Sequence, residues 1–241
     1  MSDTPLEAVV VGAVDVGEAS RVVRLLTPDR GRVAVIARGA RSSRRRFAGL
    51  LDPGTHVRLG LVRGRGELAV WGHADRLGGP SRARNELERL ALLAYGCELC
   101  AALAPEEHEA PKLFRLLVTW LALLEGEARP GRASRWGLEA KALTFAGFTP
   151  HLLRCALCGE PIDDPAVFDA GAGGALHRRC GGGASVDLTE LAFLERLRRT
   201  PLAETPSLPG DLGAPFRLSD FARYQLGHDL KSRGMVTDLH L

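Results

Sequence analysis

Aromatic residues are scarce in this sequence: three Trp, two Tyr and eight Phe make up 5% of 241 residues. That is a poor supply for any mechanism built on many stacking surfaces. No apolar run approaches the ~20 residues of a membrane-spanning helix. The first residues, MSDTPLEAVVVGAVDVGE, are acidic and lack the basic start and long apolar stretch of a signal peptide. The expectation is a soluble, cytoplasmic chain with no membrane partner. No Gly-rich loop ends in Lys-Ser or Lys-Thr, and neither GxSxG nor HExxH occurs. The acids are scattered rather than grouped as ligands for a metal pair. An enzyme has little to stand on here, so the expectation is a non-catalytic protein. Five cysteines are an odd set for a disulfide scaffold. In a reducing compartment, CxxC pairs more often bind metal or do redox work. No internal repeat is present.

What is there begins with a hydrophobic share of 45%, enough to build a buried core. The net charge of +3 is unevenly spread. Residues 1–80 hold thirteen Arg against eight acids, a net of +5; residues 81–150 balance at nine and nine; residues 151–241 carry ten bases against twelve acids. The positive excess lies in the first third, which is where a polyanion would dock.

Residues 1–80 read as short strands separated by turns. LEAVVVGAV (6–14), SRVVRLLT (20–27) and GRVAVIARG (31–39) come first, then THVRLGLVR (55–63) and ELAVWGHAD (67–75) about the Gly64-Arg65-Gly66 turn. Val57, Leu59 and Leu61 alternate with His56, Arg58 and Gly60, as a half-buried strand requires. With a helix-like FAGLL (47–51) before the fourth strand, the pattern fits a five-stranded OB-like barrel. Five strands alone leave an SH3-like barrel or a small open sheet equally available.

From Ser81, a plausible N-cap, the period becomes helical, with Leu87, Leu90, Ala94 and Cys97 on one face. A second helix follows Pro105, and a third runs from about Arg132 to Ala146. Residues 151–184 lose this periodicity and are rich in Gly, Cys and Asp; helical spacing returns at Leu188, Leu191, Phe193/Leu194 and Leu197 and, after a Pro/Gly-rich stretch (200–215), again from Leu218 to Leu230. The fold class expected is α+β and multi-domain. It comprises a basic barrel (1–80), a helical domain (81–150 and 185–241) and a zinc-ribbon insert (151–184).

Cys155-Ala-Leu-Cys158 is followed, after eighteen intervening residues, by His177-Arg-Arg-Cys180. Two ligand pairs, each with two residues between, form the knuckles that present sulfur and imidazole to a tetrahedral zinc ion. Gly159 and Gly181–Gly183 permit the positive φ that such turns need. Four protein ligands leave no open position, so the one Zn2+ expected per chain is structural. Cys97 and Cys100 also have the CxxC spacing, but inside a strong helical pattern that offers no knuckle. They read as small core residues.

Arg38-Gly-Ala-Arg41-Ser-Ser-Arg44-Arg45-Arg46 packs five arginines into nine residues without an acid. Like charges repel unless a counter-charge arrives, and a phosphate backbone is the simplest one. Arg58, Arg63 and Arg65 would add donors. With only Phe47 and Trp71 as aromatics in residues 1–80, the binding expected is electrostatic and weakly sequence-dependent. A second patch would comprise Arg178 and Arg179 with Arg196, Arg198 and Arg199.

The order of these features resembles the RecO family of bacterial recombination mediators. The resemblance is carried by GEASRVVRLLTPDRGRVAVIARGARSSRRR (17–46), by CALCGEPID (155–163) with HRRC, and by RYQLGHDLKSRGMV (223–236). It covers essentially the whole chain. It implies an OB barrel, then a helical bundle interrupted by a zinc ribbon, in which His177 stands where the family more commonly has Cys. It further implies binding of single- and double-stranded DNA, annealing of complementary strands, and partnership with RecR. The family also recognises the C-terminal tail of single-stranded-DNA-binding protein and helps load RecA, which implies a nucleoid-associated protein. Arg132 and Arg135, in RASRWGLEAKAL, resemble the family's basic helix start for that acidic tail. Charge alone cannot tell DNA from RNA, so an RNA- or ribosome-associated OB/zinc-ribbon protein is the competing class. A purely structural scaffold is a third.

Overall fold

The computed structural model describes residues 5–43, 47–63, 66–209 and 217–241. Five strands come first: β1 (Leu6–Val16), β2 (Ser20–Thr27), β3 (Gly31–Ala37), β4 (His56–Val62) and β5 (Ala69–Gly78). They close into a barrel in the order β1-β2-β3-β5-β4. β3 and β5 run parallel at Val35↔Ala69 and Ile36↔Val70. β4 closes the ring against β1 through Leu6↔Leu59 to Val9↔His56. The alternation read from the sequence is the alternation of the wall: Val33, Val35 and Ala37 are buried while Arg32, Ala34 and Ile36 lie between them half-buried. Ala8, Val10, Val23, Leu25, Val57, Leu59 and Trp71 join them inside the barrel. Each fully buried Leu or Val contributes about 1.5–3 kcal/mol.

The FAGLL stretch is a run of turns rather than a helix. Gly49 takes φ +69, which breaks the right-handed spiral. Pro53 then disfavours the α conformation at Asp52. Phe47 and Leu51 nonetheless plug the barrel, at 5% and 4% exposure.

Three helices follow: α1 (Arg82–Asn85), α2 (Leu87–Leu103) and α3 (Pro111–Glu125). They belong to one compact unit with the barrel, residues 1–126, and α2 and α3 pack on β1 and β2. Trp120 is fully buried and its Nε1–H donates to Leu92 O at 3.0 Å. Ser81 does not cap α1 with its own side chain. Glu125 does so instead: its carboxylate accepts from the N–H groups of Ser81 (3.0 Å), Arg82 (2.8 Å) and Ala83 (3.0 Å). Burial opposes the charge, but these three donors and the Arg82 guanidinium outweigh it and hold the Glu125 carboxyl below its ordinary pKa. Cys97 and Cys100 lie buried on α2, where burial pushes the Cys97 thiol up to about 12 and Cys100 higher still. They are core residues with inert thiols.

The second compact unit spans residues 127–241. Here α4 (Arg132–Phe145) packs with α5 (Leu188–Arg199), a 3-10 segment (Leu202–Ser207) and α6 (Arg217–Leu226); α7 (Arg233–Asp238) follows. Trp136 meets Phe193 edge-on at 6.3 Å. Between α4 and α5 lies a small sheet of order β7-β6-β8, formed by β6 (Ala166–Asp169), β7 (Gly174–His177) and β8 (Ala184–Val186). Phe168 of β6 packs against Phe221 of α6 at 6.2 Å. No helix among the described residues is long and apolar enough to cross a membrane.

Candidate metal centre and arginine groove

The small sheet has almost no core of its own: Cys155, Val167 and Leu176 are its buried cluster, with Ala156, Ile162, Ala172 and Cys180 against them. Two turns bring four side chains together at its base. In the first, Gly159 N–H donates to Cys155 O at 2.9 Å and Gly159 takes φ +77. In the second, Cys180 N–H donates to His177 O at 2.8 Å. The ligand atoms of Cys155, Cys158, His177 and Cys180 all lie within 4.8 Å of one another, so the cluster can hold a metal ion.

The donor chemistry fits such an ion. His177 is buried at the end of β7, with Nδ1 3.4 Å from Cys158 Sγ and 3.7 Å from Cys180 Sγ. Its Nε2 is 2.9 Å from Pro161 O and 3.3 Å from the Asp163 carboxylate. The proton therefore belongs on Nε2, and Nδ1 turns its lone pair to the sulfurs. Burial opposes a charge on Cys155, but the N–H groups of Cys158, His177 and Leu157 outweigh it and take that thiol down to about 6. Cys180 goes the other way, up to about 11: burial and the neighbouring Cys158 and Cys155 sulfurs disfavour another negative charge. A cation at the centre of the four would relieve that crowding.

The other site is on the barrel. A depression of about 820 Å3 is lined by Arg24, Arg30, Arg32 and Arg63, with Val33, Ala34, Gly66 and Ala69 among its other walls. Arg24 stands opposite Gly12 of β1. A Cβ at Gly12 would come within 3.0 Å of Arg24 Nη2, so the glycine makes room for the guanidinium. Both aromatics of residues 1–80 are core: Phe47 and Trp71 are buried inside the barrel. Among the described residues that line the groove none is aromatic, so what it offers a ligand is charge and hydrogen-bond donors.

Of the DNA-binding arginines expected from the sequence, Arg63 lines this groove. Arg38 and Arg41 are exposed beyond β3, and Arg41 Nη1 donates to Gly17 O at 3.3 Å. Arg58 is exposed on β4, in register with Glu7 on one side and Asp75 on the other. Arg44, Arg45, Arg46 and Arg65 lie outside the described residues. Sequence reading missed Arg24, Arg30 and Arg32, which occur singly along β2, the following turn and β3 and form no run. Only the curl of the barrel brings them beside Arg63.

In the second unit, Arg178 donates to Ser185 Oγ at 2.7 Å and Arg179 pairs with Asp163. Arg198 and Arg199 both bind the Glu195 carboxylate; Arg196 is exposed on α5. Arg132 Nε donates to His240 O at 2.8 Å. Arg135 is buried within α4, 3.7 Å from Glu139, whose carboxylate accepts from Ser219 Oγ at 3.0 Å.

Fold and sites together define a class: an OB-like barrel with a groove lined by four arginines, followed by helices interrupted along the chain by a small sheet whose Cys3His cluster can hold a metal ion. Residues 1–74 match the family model for the N-terminal part of recombination protein O, and residues 84–234 match that for its C-terminal part. The chain is 38% identical over 251 residues to DNA repair protein RecO of Anaeromyxobacter dehalogenans, covering 99% of this chain and 98% of the relative. It is 36% identical to the RecO of Myxococcus xanthus (98% and 97% covered) and 36% identical to that of Geobacter sulfurreducens (86% and 90%). The chain belongs to the RecO family of DNA repair proteins.

Proposed function

We propose that this chain is a non-catalytic mediator of DNA repair and recombination. It binds single- and double-stranded DNA through its barrel and anneals complementary strands. With RecR, it helps load RecA onto DNA coated by single-stranded-DNA-binding protein. The observation that carries the reading is the groove lined by Arg24, Arg30, Arg32 and Arg63. Guanidinium forks match phosphate geometry, and their fixed charge gives affinity without sequence preference. In this reading Arg38, Arg41, Arg44, Arg45, Arg46, Arg58 and Arg65 add further phosphate contacts, and Arg178, Arg179, Arg196, Arg198 and Arg199 form a weaker second patch. The barrel carries DNA, helices carry partners, and the ribbon insert stabilises the second unit.

The metal is a single structural zinc ion. Three thiolates and an imidazole suit Zn2+, and four protein ligands close its coordination. Arg132 meets the acidic tail of single-stranded-DNA-binding protein, while Arg135, from inside α4, holds that helix start in position. The deciding experiment is annealing of complementary strands, each coated with single-stranded-DNA-binding protein. Acceleration by this chain supports the mediator. Annealing of RNA but not of coated DNA would favour an RNA-associated protein, and no acceleration of either would leave only a scaffold.

A further inference from the structure

We infer that Glu106 and Glu107 are a built-in competitor of the arginine groove: two tethered carboxylates that occupy two of its four arginines until a polyanion displaces them. This rests on the reading that the groove takes nucleic-acid phosphates. Arg30 Nε donates to Glu107 Oε2 at 2.9 Å, with its Nη2 on the same oxygen. Arg32 Nη2 donates to Glu106 Oε1 at 2.7 Å. The acids stand where phosphates would stand, and they present the same kind of paired anionic oxygens.

The main chain, rather than the ion pairs, holds them there. Both acids lie in the connection between α2 and α3. Arg32 N–H donates to Pro105 O at 2.8 Å and Ala110 N–H to Pro28 O at 2.8 Å, which fastens the connection to the turn between β2 and β3. Gly31 makes that approach feasible. It sits at φ +55, and a Cβ there would lie 2.3 Å from Pro105 O and 2.4 Å from His108 O. Glu107 itself takes φ +54, a region that a non-glycine residue adopts only when its surroundings impose it. The carboxylates thus stay at high effective concentration beside the arginines whether or not they are paired.

The pairs are nevertheless weak enough to exchange. Glu106 and Glu107 side chains are 72% and 54% exposed, so solvent screens them. A single small anion must compete against two tethered carboxylates. A nucleic-acid strand brings several phosphates, attaches first at Arg24 and Arg63, and then replaces the acids at Arg30 and Arg32. Glu67, which also lines the groove, adds to the local negative charge. The acid pair therefore sets how many phosphates a ligand must offer, and lowers the salt sensitivity of binding because two cations reach DNA already neutralised.

The test measures binding of the full chain to a fluorescent single-stranded oligonucleotide over a salt series. It compares the wild type, the Glu106→Gln/Glu107→Gln variant, and an Arg24→Ala/Arg63→Ala variant. The Gln variant should bind about three- to tenfold tighter at low salt, with an unchanged melting temperature. Its log–log salt slope should be steeper by about one to two. Adding Arg30→Ala and Arg32→Ala to the Gln variant should abolish the gain. If the wild type binds and the Arg24/Arg63 variant binds more weakly, yet the Gln variant matches the wild type in affinity and slope, the competitor is overturned. If the wild type does not bind, or ignores loss of Arg24 and Arg63, the groove reading itself is overturned.

Discussion

His177 can offer only one ring nitrogen to an ion, because Pro161 O and the Asp163 carboxylate engage the other. Replacing Asp163 by Ala should therefore weaken metal binding by about tenfold, as loss of an orienting partner does elsewhere. Chelator competition measures this, and an unchanged affinity would mean that the Pro161 carbonyl suffices. Cys158→Ser should remove the metal altogether and destabilise the second unit by several kcal/mol, because Val167 and Leu176 are too little core for the small sheet. Protein purified without added metal should carry about one equivalent of zinc, released as the pH falls because protons compete for thiolates and imidazole. Retention of the melting temperature after metal removal would sink a structural role. The four ligands were legible because knuckle spacing is a local property of the chain. Asp163 was not, since nothing in PIDD marks which acid reaches an imidazole fourteen residues away. Gly96 was equally silent. A Cβ there would lie 2.3 Å from Trp120 Nε1, and that N–H is committed to Leu92 O. Ala is the better helix former by about 0.5–1 kcal/mol, but overpacking a core costs about 1–3 kcal/mol. Gly96→Ala should thus lower stability by roughly 1–2 kcal/mol in denaturant titration. A stabilised variant would show that Trp120 can move at no cost.

At the scale of elements, periodicity was a sound guide to where helices and strands lie, and a poor one to what ends them. Strand alternation and the apolar stripe of α3 are written in neighbouring residues. The cap of α1 is not: Ser81 has the right chemistry in the right place, yet the bond comes from Glu125 at the far end of α3. A carboxylate reaching three N–H groups also meets the positive end of the helix, and such a cap is worth about 1 kcal/mol. Because folding lowers the Glu125 pKa, its contribution is present above the ordinary carboxylate pKa and lost as the pH falls through the folded value. Glu125→Gln should reduce stability by about 1 kcal/mol at neutral pH, and the gap to the wild type should close in acid. A gap of the same size at every pH would mean that the charge contributes nothing.

For the whole molecule, the sequence announced five strands and a basic first third, but neither the closure of the barrel nor its groove. Closure depends on β1 meeting β4 and on β3 meeting β5, pairings between residues 34 to 53 apart that no local pattern encodes. For the same reason Arg24, Arg30 and Arg32 stand singly in the sequence, whereas Arg38–Arg46 form a run. Under the proposed function the two sets should make separable contributions to DNA affinity. With about four to six phosphates neutralised, the log–log salt slope on duplex should be near −4 to −5. Replacing Arg41, Arg44, Arg45 and Arg46 together by Ala should weaken binding to all sequences alike and flatten the slope at an unchanged melting temperature. The same replacement at Arg196, Arg198 and Arg199 should matter less, since Arg198 and Arg199 are already held by Glu195. Trp71 offers a control: it is a buried part of the barrel core, so Trp71→Phe should change stability and leave the salt slope where it was. If the α5 replacement has the larger effect, the barrel is not the main DNA surface. If Trp71→Phe alters the slope at constant stability, stacking rather than charge holds the strand.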